Sequence, residues 1–253
     1  VAYKQINTPT NEEQTTNQIR TYREIEILAY ANHYAAQTLF GYVDEKSGIN
    51  SEIAIITLYE ENGSLFDVVF EKKLPEFDFT QKFITMYGIA AAMCYLHKEG
   101  IAHRDLKPQN ILMNKNLEII KMNLEPLVAD FGLSKKQFFL KDENKMTNEN
   151  FLLQSTPGEG TPSYMAPEQI RDFSGINFSL FDAKPADVFS FAMVTYVLFA
   201  GRLPWRNELD ARNQVANGNR ADIPDNFPPA IRLLIEACWR DSPKVRPTFE
   251  VIL

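Results

Sequence analysis

His103-Arg104-Asp105-Leu106-Lys107-Pro108-Gln109-Asn110 sets a carboxylate, an ammonium and a side-chain amide within six positions, directly after a Gly100 stop and the short apolar pair Ile101-Ala102. Pro108 has no amide hydrogen and cannot continue a helix, so the string reads as a loop. A loop of that composition fits phosphoryl transfer: a carboxylate to orient and deprotonate a hydroxyl, a cation beside the moving phosphate, and an oxygen ligand for magnesium. Without that chemistry it is a polar surface turn.

Downstream, Val128-Ala129-Asp130-Phe131-Gly132 is an apolar strand ending in an acid, an aromatic and a glycine, and Asp130 follows Asn110 by 20 positions. At the carboxyl end of a strand, facing a cleft, Asp130 suits a hard oxygen ligand for Mg²⁺ on nucleotide phosphates; Phe131 suits packing. Lys135 to Gln154 then turns polar and irregular, longer than a structural connection usually is, and such loops are commonly functional or mobile. Upstream, Thr80 opens a helix with Phe83, Ile84, Tyr87, Ala90, Ala91 and Cys94 at helical spacing, and Gly100 ends it. Ser64 with Asp67 forms a capping-box pattern ahead of a short helix. Before the Glu61-Asn62-Gly63 turn the periodicity changes. Arg23 to Tyr30 is helical there, while Leu39 to Val43 and Ile53 to Tyr59 are apolar runs of strand length. The expectation is a small lobe of sheet plus one helix, followed by a mostly helical lobe.

Composition sets the outer limits. A chain of 253 residues with 45% hydrophobic and 23% charged residues is ordinary globular protein, not collagen-like, coiled-coil or wholly disordered. Its formal charge of -7 argues against nucleic acid or an anionic membrane as a general partner, because such binding needs clustered cations. The two cysteines, Cys94 and Cys238, stand among apolar neighbours, which fits buried thiols in a reducing, cytoplasmic setting. Val1 to Arg20 lacks the pattern of a signal peptide. Val188 to Ala200 is too short to span a bilayer, reads as a buried helix, and leaves no expectation of membrane insertion.

With both strings in register the chain resembles a eukaryotic protein kinase domain along nearly its whole length. Lys107 followed by Pro108 is similar to the serine/threonine form of the catalytic loop, and Thr161 in Gly160-Thr161-Pro162-Ser163-Tyr164-Met165-Ala166-Pro167-Glu168 supports the same choice. Asp187-Val188-Phe189-Ser190-Phe191, Cys238-Trp239-Arg240-Asp241 and Arg246-Pro247-Thr248-Phe249 look like the tyrosine-kinase-like group. The resemblance implies an α+β, bilobal fold, with residues 1–59 as small lobe, 60–63 as hinge, 64–253 as helical lobe and 130–168 as activation segment. The family's glycine-rich loop would lie before Val1 and its last helix would run past Leu253, so the expectation is a domain cropped from a longer polypeptide.

The resemblance also implies roles. Val1-Ala2-Tyr3-Lys4 resembles the strand whose lysine meets the ATP α/β-phosphates, and Glu24, 20 positions on, is its partner in register. Glu26 is the alternative, but two residues along a helix points elsewhere. Asp105 is the implied base, Lys107 the cation near the γ-phosphate, and Asn110 and Asp130 the Mg²⁺ ligands. Thr57 resembles the gatekeeper, with Leu58, Tyr59 and Glu60 as the hinge backbone that receives adenine. Ala2 and Leu112 sandwich the ring. Leu28, Leu39, His103 and Phe131, anchored by Asp187, would form a column joining the lobes, and Glu168 with Arg246 a buried ion pair. Thr147, Ser155 and Thr156 are candidate phosphosites, modified by an activating kinase or by another copy of the chain, with Arg104 and Lys135 to receive the phosphate. Leu117 to Pro126 makes the connection before Asp130 longer than the family's usual turn. The expected activity is ATP- and Mg²⁺-dependent phosphorylation of Ser or Thr in a protein substrate. The rivals are a non-catalytic scaffolding module and a small-molecule kinase.

Overall fold

β3 (Asn50–Thr57) is the strand on which the small lobe is built. Ile53, Ala54 and Ile55 are all buried, as a central strand covered on both faces requires. It pairs antiparallel with β1 (Ala2–Ile6) on one edge and β2 (Leu39–Ser47) on the other, giving the order β1-β3-β2 and placing Lys4 opposite Ile55. The computed structural model of the chain describes residues 1–6, 11–31, 33–47, 50–72, 77–116, 123–136, 160–171 and 183–253. α1 (Asn11–Tyr30) lies against this sheet with Thr21, Glu24, Ile25, Ile27 and Leu28 buried. It starts 12 residues before Arg23, because its first turns are polar and carry no apolar period for a sequence reading to detect.

Ser64 and Asp67 form the expected capping box: the Ser64 N–H donates to the Asp67 carboxylate at 2.7 Å and the Asp67 N–H donates to the Ser64 hydroxyl at 3.3 Å. α2 (Phe79–Lys98) follows, capped by Asp78, whose carboxylate accepts the Gln81 N–H at 2.9 Å; Thr80 is therefore inside the helix, not at its start. Phe83 and Tyr87, expected on its buried face, are exposed instead. The buried side carries Gln81, Thr85, Gly88, Ile89, Ala92 and Met93. Small residues are needed there because a strand approaches closely: a Cβ on Gly88 would lie 2.6 Å from the Pro126 ring.

That strand is β6 (Asn123–Val128), paired antiparallel with β5 (Ile111–Asn116). The Gln81 side chain accepts the Leu124 N–H at 3.2 Å and donates to the Leu124 carbonyl. The unusual length of Leu117 to Pro126 is thus partly strand: it prolongs a hairpin docked on α2. At the far end of β6 the Val128 N–H donates to Ala35 O at 2.8 Å and the Gln37 N–H to Val128 O at 2.9 Å, tying the hairpin to the segment after α1.

β4 (Ile101–Ala102) pairs with β7 (Lys135–Lys136), and α3 (Pro167–Arg171) precedes the central helix α4 (Lys184–Ala200). Every residue of α4 from Ala186 to Leu198 is buried, as an all-round apolar helix must be, and Gly201 at φ +63° ends it. α6 (Pro229–Cys238) packs against it, while α5 (Glu208–Ala216) packs against α3 and α7 (Phe249–Ile252) against α2. Cys94 and Cys238 are free and buried, and burial pushes the Cys238 thiol up to about 12. No described helix is long and apolar enough to cross a membrane. A small strand-rich lobe on a larger helical one is the bilobal α+β arrangement expected.

Candidate active site

Asp187, in the first turn of α4, is 0% exposed and organises the loop above it. Its carboxylate accepts the His103 N–H at 2.8 Å and the Arg104 N–H at 2.7 Å, and lies 2.9 Å from His97 Nε2. A buried carboxylate is tolerated only when so paired, and the helix N-terminus favours its charge. The two amide bonds hold Arg104 at φ +70°, a left-handed conformation that a side chain other than glycine rarely adopts. His103 is fully buried, its Nε2 lies 3.0 Å from Ala129 O, and its ring is 5.3 Å from that of Phe131. His103 therefore supports the loop from below.

The bend at Arg104 delivers Asp105 to the surface of the lobe with its side chain 10% exposed. One carboxylate oxygen meets Lys107 Nζ at 2.7 Å and accepts from Asn110 Nδ2 at 3.1 Å. The other accepts the Thr161 N–H at 3.1 Å and its hydroxyl at 3.2 Å. Lys107 donates to that same hydroxyl at 2.8 Å. Sequence reasoning used Thr161 only to choose a subclass; its bond to Asp105 spans 56 residues and left no local signal. Next to it Gly160 stands at φ +121°, where a Cβ would lie 2.9 Å from the Met165 methyl.

Above the loop, Lys4 Nζ reaches both oxygens of Glu24, at 3.1 and 2.9 Å, and Asp130 Oδ1 at 3.5 Å. Glu24, not Glu26, faces Lys4; Glu26 is exposed. Burial works against the Lys4 ammonium, but Glu24 and Asp130 outweigh it and raise its pKa above the ordinary value. Burial likewise pushes the Glu24 carboxyl up in spite of Lys4. For Asp130 burial is outweighed by Lys4, His103 and the Gly132 N–H, so its carboxyl is held below the usual range. Asp130 also sits at φ +60°, while Phe131 beside it is fully buried. The strained backbone turns the acid outward and the ring inward, and burial of that ring contributes about 1.5–3 kcal/mol. Leu28 and Leu39 pack into the same core cluster as Phe131.

The oxygens that Asn110 and Asp130 leave available suit a cation. The Asn110 amide nitrogen is engaged by Asp105 O at 2.8 Å as well as by the carboxylate, which leaves its carbonyl oxygen to face a cation. Asp130 offers an ionised carboxylate that is 48% exposed. Among the described residues no group of three or more His, Cys, Asp or Glu forms a metal cage. One carboxylate and one amide oxygen instead suit Mg²⁺, which keeps several waters and takes its other oxygens from phosphates.

Thr57 is buried and accepts a 3.0 Å hydrogen bond from the Gln37 side chain, a partner that sequence reasoning missed. Leu58 and Tyr59 are exposed, Ala2 and Leu112 half-buried, and Leu112 bridges to Ser64. Glu60 is buried, its Oε1 has no hydrogen-bond partner among the described residues, and burial pushes its carboxyl up. Beneath the site, Arg246 meets both oxygens of Glu168, at 2.6 and 2.7 Å. Arg104 donates to Leu133 O at 3.3 Å. Thr147, Ser155, Thr156 and the Lys135 side chain lie outside the described residues.

The family profile of the protein kinase domain matches residues 1–253. Receptor-interacting serine/threonine-protein kinase 1 of Homo sapiens is 31% identical over 237 residues, covering 89% of this chain and 32% of the relative. Serine/threonine-protein kinase CTR1 of Arabidopsis thaliana is 30% identical over 237 residues, covering 91% of the chain and 25% of the relative. SNF1-like protein kinase ssp2 of Schizosaccharomyces pombe is 32% identical over 235 residues, covering 92% and 35%. The chain thus spans about a third or less of the length of these relatives.

Proposed function

Since the chain belongs to the protein kinase family, in its tyrosine-kinase-like group with a serine/threonine-type catalytic loop, we propose that it moves the γ-phosphoryl group of ATP, with Mg²⁺, to a Ser or Thr hydroxyl of a protein substrate. The observation that carries this reading is the joint geometry of two clusters. Lys4 is paired with Glu24 over the cleft, and Asp105 is fixed below it among Lys107, Asn110 and Thr161. The rival scaffold finds no support, because the carboxylates, cations and amide that the reaction needs stand in working contact.

Each residue then has a defined task. Asp105 accepts a hydrogen bond from the substrate hydroxyl and takes its proton; to do so it exchanges one of its present donors, of which the Thr161 hydroxyl is neutral and free to rotate away. Lys107 neutralises charge on the moving phosphate, and Lys4, oriented by Glu24, holds the phosphates that stay behind. Asn110 and Asp130 would hold Mg²⁺, which supplies charge neutralisation on the phosphates when bound. Ala2 and Leu112 would enclose adenine beside Thr57 and the backbone of Leu58 to Glu60. Phosphorylation at Thr147, Ser155 or Thr156, and residence in a reducing cytoplasm, belong to the same reading.

Transfer of radiolabelled γ-phosphate to a mixed protein substrate tests it. Asp105→Asn is expected to lower kcat by about 10² to 10⁴, and equal incorporation by the two proteins would sink the assignment. A melting curve with ATP is expected to shift upward only when Mg²⁺ is present, since a ligand that binds the folded state raises its apparent stability.

A further inference from the structure

In the helical lobe, α2, the start of α4 and the start of α7 line a cavity of about 340 Å³. That is within the range of about 300–1,000 Å³ typical of sites for small molecules. We propose that it binds a compact, uncharged aromatic molecule bearing one N–H or O–H donor, which hydrogen-bonds to His97.

The lining argues against a charged ligand. Cys94, Pro185, Val188, Pro247 and Phe249 give an apolar interior. Every cation of the wall is already engaged. Arg246 donates to Arg240 O from Nε, to Glu168 and Pro185 O from Nη1, and to Glu168 and Asp241 O from Nη2. Lys98 holds Glu250, the one acid of the lining, at 3.1 Å, and Lys184 has a partner as well. An ionic ligand would give up its hydration without meeting an unpaired counter-charge, a loss that an uncharged body avoids. The polar group left for recognition is His97, whose side chain is 11% exposed. Its Nε2 lies 2.9 Å from the Asp187 carboxylate, an acceptor, so Nε2 carries the ring proton. In the neutral ring Nδ1 is then an acceptor, and it has no hydrogen-bond partner among the described residues. A single donor on the ligand satisfies it. The His97 ring meets Phe249 edge-on at 5.0 Å, which gives an aromatic body two rings to pack against.

Fluorescence titration of the chain with carbazole, at saturating ATP and Mg²⁺ so that the cleft is filled, tests this. Expected is saturable binding at one site per chain, abolished in Thr248→Trp, where an exposed residue of the rim is enlarged without disturbing the core. Dibenzofuran, the same ring system with oxygen in place of the N–H, is expected to bind roughly two- to tenfold more weakly, and His97→Phe to erase that difference. Carbazole-3-carboxylate is expected to bind more weakly than the uncharged carbazole-3-carboxamide by roughly tenfold or more. Circular dichroism reports whether the variants fold; if they do not, the two ligand pairs on the parent chain decide alone. Absence of saturable carbazole binding, persistence of it in a folded Thr248→Trp, equal affinity within either ligand pair, or a preference for carbazole that survives in a folded His97→Phe overturns the proposal.

Discussion

On the cleft side of the catalytic loop Lys4 meets Glu24 and Asp130, with Lys4 50% and Asp130 48% open to solvent. On the core side Arg246 meets Glu168 with exposures of 0% and 17%, and Asp187 accepts two amide hydrogens in complete burial. Both regions set carboxylates against cations, yet they are built for opposite ends. The buried contacts are saturated, so any change leaves a charge or donor stranded. The cleft contacts are loose and under-coordinated, as groups waiting for phosphate and cation must be. Rigidity below and unfilled valence above are what a transfer site needs from its two halves.

Arg246→Ala should break this contrast most severely. Stranding Glu168 is expected to cost about 3–5 kcal/mol of stability, read as a lower urea midpoint at unchanged slope. Asp187→Asn keeps the volume but turns a donor toward donors, and a loss of about 1.5–3 kcal/mol is expected, together with weaker catalysis as the Arg104 bend relaxes. Lys4→Met, by contrast, should lose phosphoryl transfer while lowering the urea midpoint by less than Arg246→Ala does, because Glu24, though only 6% exposed, can take up a proton once its cation is gone, burial already holding its carboxyl above the ordinary value. If it destabilises as much as Arg246→Ala, the two regions are not different in kind.

The smallest effect concerns pH. Asp130 is held below its ordinary value of 3.8, so its ionised form favours the folded state at pH above 3.8, and that contribution fades as pH falls through its lower folded value. Asp130→Asn should accordingly be slightly less stable than the parent at neutral pH and indistinguishable from it in strong acid. A gap that persists in strong acid would show that the Asp130 carboxylate is held by something other than charge.

What could be read from the chain alone follows the reach of the interactions. The catalytic loop and the Asp130 string are local arrangements, and the 20-residue step from Lys4 to Glu24 places an acid on a helix face that the pattern at Arg23 to Tyr30 already orients. Ser64 and Asp67 are likewise a short-range device. The turning of Phe83 and Tyr87 to solvent was hidden because an apolar period does not say which side a neighbouring strand approaches, and that strand demanded glycine at 88. Thr161 on Asp105 and Gln37 on Thr57 are contacts between distant segments with no spacing rule. The left-handed bends at Arg104 and Asp130 went unseen because neither is glycine, the usual marker of such a backbone.

The guanidinium of Arg246 makes five hydrogen bonds to carboxylate and carbonyl oxygens of four residues, Glu168, Pro185, Arg240 and Asp241, at three separate places in the chain. Lysine carries the same charge but has three donors on a single atom. The exchange most often regarded as conservative is thus closed at this position: it would preserve the charge of the helical lobe and abandon two acceptors. Position 246 fixes a shape as much as a sign.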